Sequence, residues 1–266
     1  MLRLHEGPFK AVYAGNSRAV LEWSWSNLKH NNWTVVVSGF FEPLLFLIAM
    51  GYGVGSLVGT IDTGSGPQDY VYYIAPALLT VSAMNGALAD TTWNVYFKMH
   101  VSKVYGRMLN TPLGPLDIAL AEIGMALLRG TFYAIGFTVV MAGFGLLASP
   151  ASLLMIPMAL FVAFGFASLG MGITSYCRKF QHMDWIEIVK YPMFMLSGVF
   201  FPISQYPEAL QWLVQALPLW HGIELMRAAQ LGVFGPQIMV HVLYFAVLIV
   251  IGLVFSTRRM QMLFMS

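Results

Sequence analysis

Apolar stretches of about 18 residues or more recur along the whole chain, and the polar residues between them fall in short clusters, the pattern of helices that cross a bilayer. Six spans are predicted, at Thr34 to Gly59, Val71 to Trp93, Leu116 to Leu147, Ser152 to Tyr176, Trp185 to Phe201 and Ile238 to Phe255. The first three are long for a hydrocarbon core of about 30 Å and should tilt or project beyond it, while the fifth is short and contains Pro192. After the fifth span the pattern changes. LSGVFFPISQYP, Leu196 to Pro207, begins as a helix end and then meets two prolines, and LQWLVQALPLWHGIELM resumes apolar but is broken by Pro218. Proline removes a backbone donor, and non-helical backbone at membrane depth needs protein or a water-filled cavity around it. Phe201 to Gln230 is therefore predicted as two short re-entrant helices joined around Pro218, a lid over the outer end of a pathway.

Composition agrees: of 266 residues, 58% are hydrophobic and 10% charged, against about 25% charged in a soluble domain. The expectation is an all-α membrane protein forming a single transmembrane domain over 1–266, with an interfacial N-terminus over 1–33, six spans over 34–257 and a tail over 258–266. The single cysteine, Cys177, excludes an intrachain disulfide, and MLRLHEGPFKAVYAG lacks an apolar signal core, so the N-terminus should stay on the protein.

Charge placement sets orientation. Arg3, Lys10, Arg18 and Lys29 precede the first span, Lys98, Lys103 and Arg107 follow the second, Arg178 and Lys179 the fourth, and Arg258 and Arg259 the last, eleven of the fourteen basic residues. Thr60 to Tyr70 and Ala148 to Ala151 carry none. Under the positive-inside rule both termini and the basic connections are cytoplasmic. Asn16 to Asn32, with Trp23 and Trp25, suits a helix lying in the cytoplasmic interface or a plain juxtamembrane anchor.

The sequence contains no phosphate loop, no HExxH and no GxSxG, and its six histidines are too scattered for a metal site, so no enzyme and no metal centre is expected and energy must come from another chain. Gly51, Gly55 and Gly59 lie four residues apart on one face of the first span and allow close approach of a helix, from this chain or a second copy. Ionisable residues within the spans are costly in lipid. Glu42, Asp90, Glu122 and Arg129 could form a polar path or proton relay, as in a proton-coupled secondary transporter, or a set of internal ion pairs; Glu187 and Lys190 can pair directly. Tyr96, Met99, Lys103 and Arg107 fall on an amphipathic connection that suits docking of a soluble partner or simple anchoring. Trp93, Trp185, Trp212 and Trp220 near the membrane boundaries can anchor the chain or stack on sugar or planar drug rings.

This order of parts, with FMLSGVFFPISQYPEALQWLVQALPLWHGIELMR from Phe194 to Arg227 and FASLGMGITSYC from Phe166 to Cys177, resembles the membrane subunits of type-2 ABC exporters. Within that family the lipo-oligosaccharide (nodulation-factor) export permeases are most similar, then the daunorubicin-type drug export permeases, although Trp220 stands where the former tend to have a small residue. The resemblance implies a non-catalytic permease in a bacterial plasma membrane that exports an amphipathic substrate. It pairs with a second permease chain, a copy or a paralogue, among membrane lipids and without nucleic acid. Separate ABC ATPase subunits carry ATP and Mg, and this chain binds no cofactor. Tyr96 to Asn110 would be the coupling helix and Asn16 to Asn32 the interface helix. Ser197, Gly198, Phe201, Pro202, Pro207, Pro218, His221 and Arg227 would form the extracellular gate.

Overall fold

The computed structural model describes residues 15–31, 41, 44–62, 66–147 and 149–264. In chain order the helices are α1 (Ser17–Asn31), α2 (Leu44–Val58), α3 (Tyr70–Val101), α4 (Val104–Met108), α5 (Pro115–Gly143), α6 (Met155–Tyr176), α7 (Gln181–Leu196), α8 (Glu208–Gln215), α9 (Pro218–Leu231) and α10 (Gln237–Phe264). A small antiparallel pair, β1 (Thr60–Asp62) and β2 (Pro67–Asp69), joins α2 to α3.

Four of these are long and apolar enough to cross a membrane among the described residues: α3, α5, α6 with the turn before it, and α10. The sequence predicts six spans. The predicted first span falls partly on 34–40, 42 and 43, outside the described residues, and its described part is the shorter helix α2. The predicted fifth span starts earlier and stops earlier, at Gln181 and Leu196, because Gly198 turns the chain with φ +76° before Phe201. Asp184, Glu187 and Lys190 lie on it, with Lys190 paired to Glu187 one turn away.

Helix α3 is the most enclosed of the four, packed against α5, α6 and α9, and α6 makes its most extensive contact with α10. Small residues let backbones approach. Gly165 sits under the ring of Phe245, Gly170 under Thr91, and Gly252 of α10 lies against the Ser168 backbone. Gly51 and Gly55 of α2 face Val71 of α3, which would lie 3.2 and 3.3 Å from a Cβ at either position. Gly51 and Gly55 thus pack within the chain, while the third predicted member, Gly59, ends the helix with φ +66° and faces open space.

One end of the bundle carries α8 and α9 and is called the cap end; the other carries α1 and α4 and is called the basic end. Lys98, Lys103, Arg107, Arg178, Lys179, Arg258 and Arg259 all belong to helix ends or turns at the basic end.

Candidate functional site

At the cap end the structure is built on one carbonyl. The Gly198 oxygen accepts a hydrogen bond from Tyr73 Oη at 3.1 Å and from Arg227 Nη2 at 2.7 Å. The Arg227 guanidinium lies 3.9 Å over the Tyr73 ring, and its Nη1 donates to Glu224 at 3.0 Å. Only a turn with positive φ aims this carbonyl inward, a conformation that glycine adopts without a Cβ penalty. Phe200 is driven into the core, edge-on to Phe194 at 5.2 Å, while Phe201 stays exposed.

Prolines then set the helix starts. Pro207 precedes α8 and Pro218 opens α9, where a missing N–H costs nothing. A third proline acts at a distance. Pro76 inside α3 cannot donate to the Tyr72 carbonyl one turn back, and the Gln230 amide of α9 fills that vacancy at 3.3 Å while also donating to Leu146 at 3.1 Å. Ser152 donates to the Gln230 carbonyl at 2.9 Å. On the opposite side of α9, His221 Nδ1 meets His241 Nδ1 of α10 at 2.7 Å, stacked on Tyr244 at 3.9 Å. Tyr244 Oη donates to the Ala216 carbonyl between α8 and α9 at 2.8 Å.

These contacts enclose a cleft of about 400 Å³ lined by Gln68, Tyr73, Pro202, Trp220, Glu224, Arg227 and Gln237, among others. Of the predicted gate residues, Pro202 and Arg227 line this cleft, and Gly198 holds Arg227 through its carbonyl. Ser197 is fully buried next to Gly198, with its hydroxyl lacking a partner, and Pro207 and Pro218 set the starts of α8 and α9. His221 faces α10 instead. Sequence reasoning missed Tyr73, Glu224, Gln230 and His241; the signals were Pro76, which exposes a carbonyl, and the three-residue spacing of Glu224 and Arg227.

Toward the basic end, α3 and α5 run antiparallel and exchange two ion pairs. Arg129 Nη1 reaches Asp90 Oδ1 at 2.6 Å, with Asn94 Nδ2 donating to the same oxygen at 2.9 Å, and Lys98 Nζ reaches Glu122 Oε2 at 2.6 Å. Eight residues separate Asp90 from Lys98 and seven separate Glu122 from Arg129, so the rungs match at about 1.5 Å rise per residue. Glu122 and Arg129, which share a helix face, are therefore each engaged by α3. Glu42 lies outside the described residues.

The predicted surface helix from Tyr96 to Asn110 is corrected. Helix α3 continues to Val101 through π turns at Asp90–Asn94 and Phe97–Val101, so Tyr96 and Met99 are buried on a continuing helix. Lys98 can remain in that helix because Glu122 neutralises it. Lys103, with φ 49°, reverses the chain into the five-residue α4, leaving Lys103 and Arg107 exposed. The four residues do not share one face. Tyr105 of α4 is fully buried, and burial together with the nearby Glu122 carboxylate pushes its phenol well up. His100 Nε2 lies 2.9 Å from the Cys177 carbonyl.

Helix α1 is tied to the same end. Asp117 accepts from Gly114 N at 2.9 Å and from Asn16 N at 3.0 Å, and Asn16 Nδ2 donates to the Pro112 carbonyl at 2.9 Å. Lys98 Nζ lies 5.9 Å from the Trp23 ring centre. A shallow groove of about 400 Å³ between α1 and α4 is lined by Val20, Trp23, Val104, Arg107 and Met108, among others.

Comparison with known proteins places these parts. The profile of the family described as ABC-2 type transporter matches residues 16–231, from the Asn16 clasp to the end of α9. The chain is 29% identical over 227 residues to nodulation protein J of Rhizobium leguminosarum bv. viciae, covering 85% of this chain and 86% of that protein. It is 31% identical to nodulation protein J of Rhizobium leguminosarum bv. trifolii over 83% of each chain. A capsule polysaccharide export inner-membrane protein, CtrC, of Neisseria meningitidis is 28% identical over 59% of this chain and 55% of its own length.

Proposed function

The chain belongs to the ABC-2 type transporter family, and from that membership we propose that it is the permease subunit of an ATP-driven type-2 exporter, moving an amphipathic molecule outward across a bacterial plasma membrane. The molecule is a lipid-linked oligosaccharide or glycolipid, with a hydrophobic drug as the other chemistry that fits. In this reading the cap end is the outer face, the basic end is cytoplasmic with both termini, and α2 and α7 complete six spans. The helices α8 and α9 form a re-entrant lid. A second permease chain and ABC ATPase subunits carrying ATP and Mg complete the assembly.

The observation that carries the reading is the family match over 16–231 in a chain whose sequence holds no phosphate loop, so that nucleotide energy must enter by contact. The exposed Lys103 and Arg107 beside the α1–α4 groove are where such contact is offered. Of the carboxylates that a proton-coupled transporter would use, Glu42, Asp90 and Glu122, the two among the described residues, Asp90 and Glu122, stand paired to Arg129 and Lys98, which supports the exporter over that alternative. Capsule polysaccharide export, stated in the name of the Neisseria relative, supports a glycan-bearing substrate.

Reconstituted in proteoliposomes with its ATPase, the permease is expected to show ATP hydrolysis stimulated by glycolipids and outward movement of a labelled glycolipid. Stimulation by small water-soluble solutes or ions alone would overturn the substrate class, and transport driven by a proton gradient without ATPase would overturn the exporter.

A further inference from the structure

The cap end holds two clefts that differ in the side chains lining them and share a wall. The first is the 400 Å³ cleft under α9. The second, of about 460 Å³, lies between α2 and the start of α3 and is lined by Leu47, Ile48, Gly51, Gly55, Val71 and Phe144, among others. Both fall in the range of about 300–1,000 Å³ usual for ligand sites. The wall is the chain from Gln68 to Tyr73: Gln68 and Tyr73 face the first cleft, and Asp69, Tyr70, Val71 and Tyr72 the second. Gln230 lines the first cleft and donates to the carbonyls of Tyr72 and Leu146, two residues that line the second.

The first cleft is polar without being charged in one sense. Glu224 and Arg227 neutralise each other at 3.0 Å, so no net field selects an ion, yet the pair sets an acceptor beside donors. The amides of Gln68 and Gln237 add both kinds of group. The Trp220 ring is held edge-on by His221 and His241, at 4.9 and 5.2 Å, and lines the cleft as a fixed flat face. Neutral hydrogen-bonding groups of both signs around an aromatic face match an uncharged polyol ring. The second cleft has Asp69 in the shared wall, but the rest of its lining is glycine, aliphatic and aromatic side chains, which match hydrocarbon on the side away from that carboxylate.

We propose that the cap end of the chain binds one amphiphile in two parts, an uncharged sugar headgroup against Trp220 and the Glu224–Arg227 pair, and its hydrocarbon chain in the cleft between α2 and α3. The proposal rests on the exporter reading for its place in transport, but its geometry is tested by binding alone.

The test uses the permease with its ATPase in nanodiscs, carrying Cys177→Ser and Gln237→Cys so that one thiol reports on the polar cleft. Its maleimide labelling is followed with dodecyl maltoside, maltose or dodecylphosphocholine below micelle-forming concentration. Dodecyl maltoside is expected to slow labelling about tenfold at about ten times its half-saturating concentration, in proportion to occupancy. Maltose should protect only at much higher concentration, and dodecylphosphocholine not at all. Trp220→Leu should abolish protection by either sugar. Ile48→Trp, which fills the apolar cleft from an exposed position, should bring dodecyl maltoside down to the level of maltose; an unchanged size-exclusion profile and thermal unfolding midpoint in every variant establish that each is folded. Equal protection by the two detergents, no protection by either, or an unaltered detergent effect in Ile48→Trp would overturn the proposal. Protection together with transport driven by a proton gradient without the ATPase would leave the site standing and overturn the exporter reading instead.

Discussion

At the scale of single residues, the ion pairs of α3 and α5 carry the sharpest expectation. Asp90 and Arg129 are both nearly enclosed, with side chains 7% and 10% exposed, so removing one strands the other in low dielectric. Asp90→Asn should therefore destabilise the folded permease by about 3–5 kcal/mol, whereas replacing both by leucine should come close to neutral. Thermal unfolding of the purified protein in detergent reads both, and a single variant as stable as the double would contradict the pairing. The charges themselves were plain in the sequence, as was the choice between a relay and internal pairs. Their partners were not, because Lys98 looks like a residue beyond the membrane until the structure shows Glu122 holding it at 2.6 Å.

At the scale of elements, breaks caused by proline and glycine were legible and helix continuations were not. Pro218 marks the start of α9, and Pro207 the start of α8, because a residue without N–H costs nothing in the first turn, whereas later in a helix, as at Pro76, it leaves a carbonyl to be satisfied from elsewhere. By contrast Tyr96 to Val101 reads as a surface segment, since Lys98 and His100 interrupt the apolar run, while the backbone stays helical through its π turns. The consequence is a separation of effects. Charge reversal at exposed Lys103 and Arg107 should lower ATP-driven transport while leaving stability within about 0.5 kcal/mol. Met99→Ala, which empties a buried position, should cost about 2–5 kcal/mol and lower transport by loss of folded protein. Paired measurements of unfolding and transport decide it; normal transport after charge reversal would remove α4 from the coupling path.

At the scale of the whole molecule, the distribution of charge told more than any motif. The structure collects Lys98, Lys103, Arg107, Arg178, Lys179, Arg258 and Arg259 at one end, which a positive-inside argument makes cytoplasmic. A cysteine placed at exposed Thr60, in the hairpin at the cap end, should label with a membrane-impermeant maleimide from outside only. Cys177 should label from the cytoplasmic side only, and slowly. It is 7% exposed, and burial pushes its thiol up, so less reactive thiolate forms at a given pH than for an ordinary thiol and the rate should keep climbing as pH rises through the usual thiol range. Labelling of Thr60→Cys from the cytoplasm would invert the orientation. What no pattern could foretell is which apolar faces remain uncovered: α7 turns Trp185, Val189 and Tyr191 outward, and α10 turns out Met239, Leu243 and Val250, surface fit for lipid or for the partner chain that the proposed function calls for.

The link between Pro76 and Gln230 has a meaning for how such a chain can change over time. An alanine at 76 would return the Tyr72 carbonyl to its own helix and leave the Gln230 amide with one acceptor fewer, while an apolar residue at 230 would leave that carbonyl orphaned as long as the proline remains. Neither step is neutral by itself, and the two together free the Tyr72 carbonyl from its need for Gln230 while still leaving the Leu146 carbonyl without that donor. Position 230 thus answers to two carbonyls, and sequences descended from a common ancestor should lose the proline at 76 while keeping a donor at 230 more readily than the reverse.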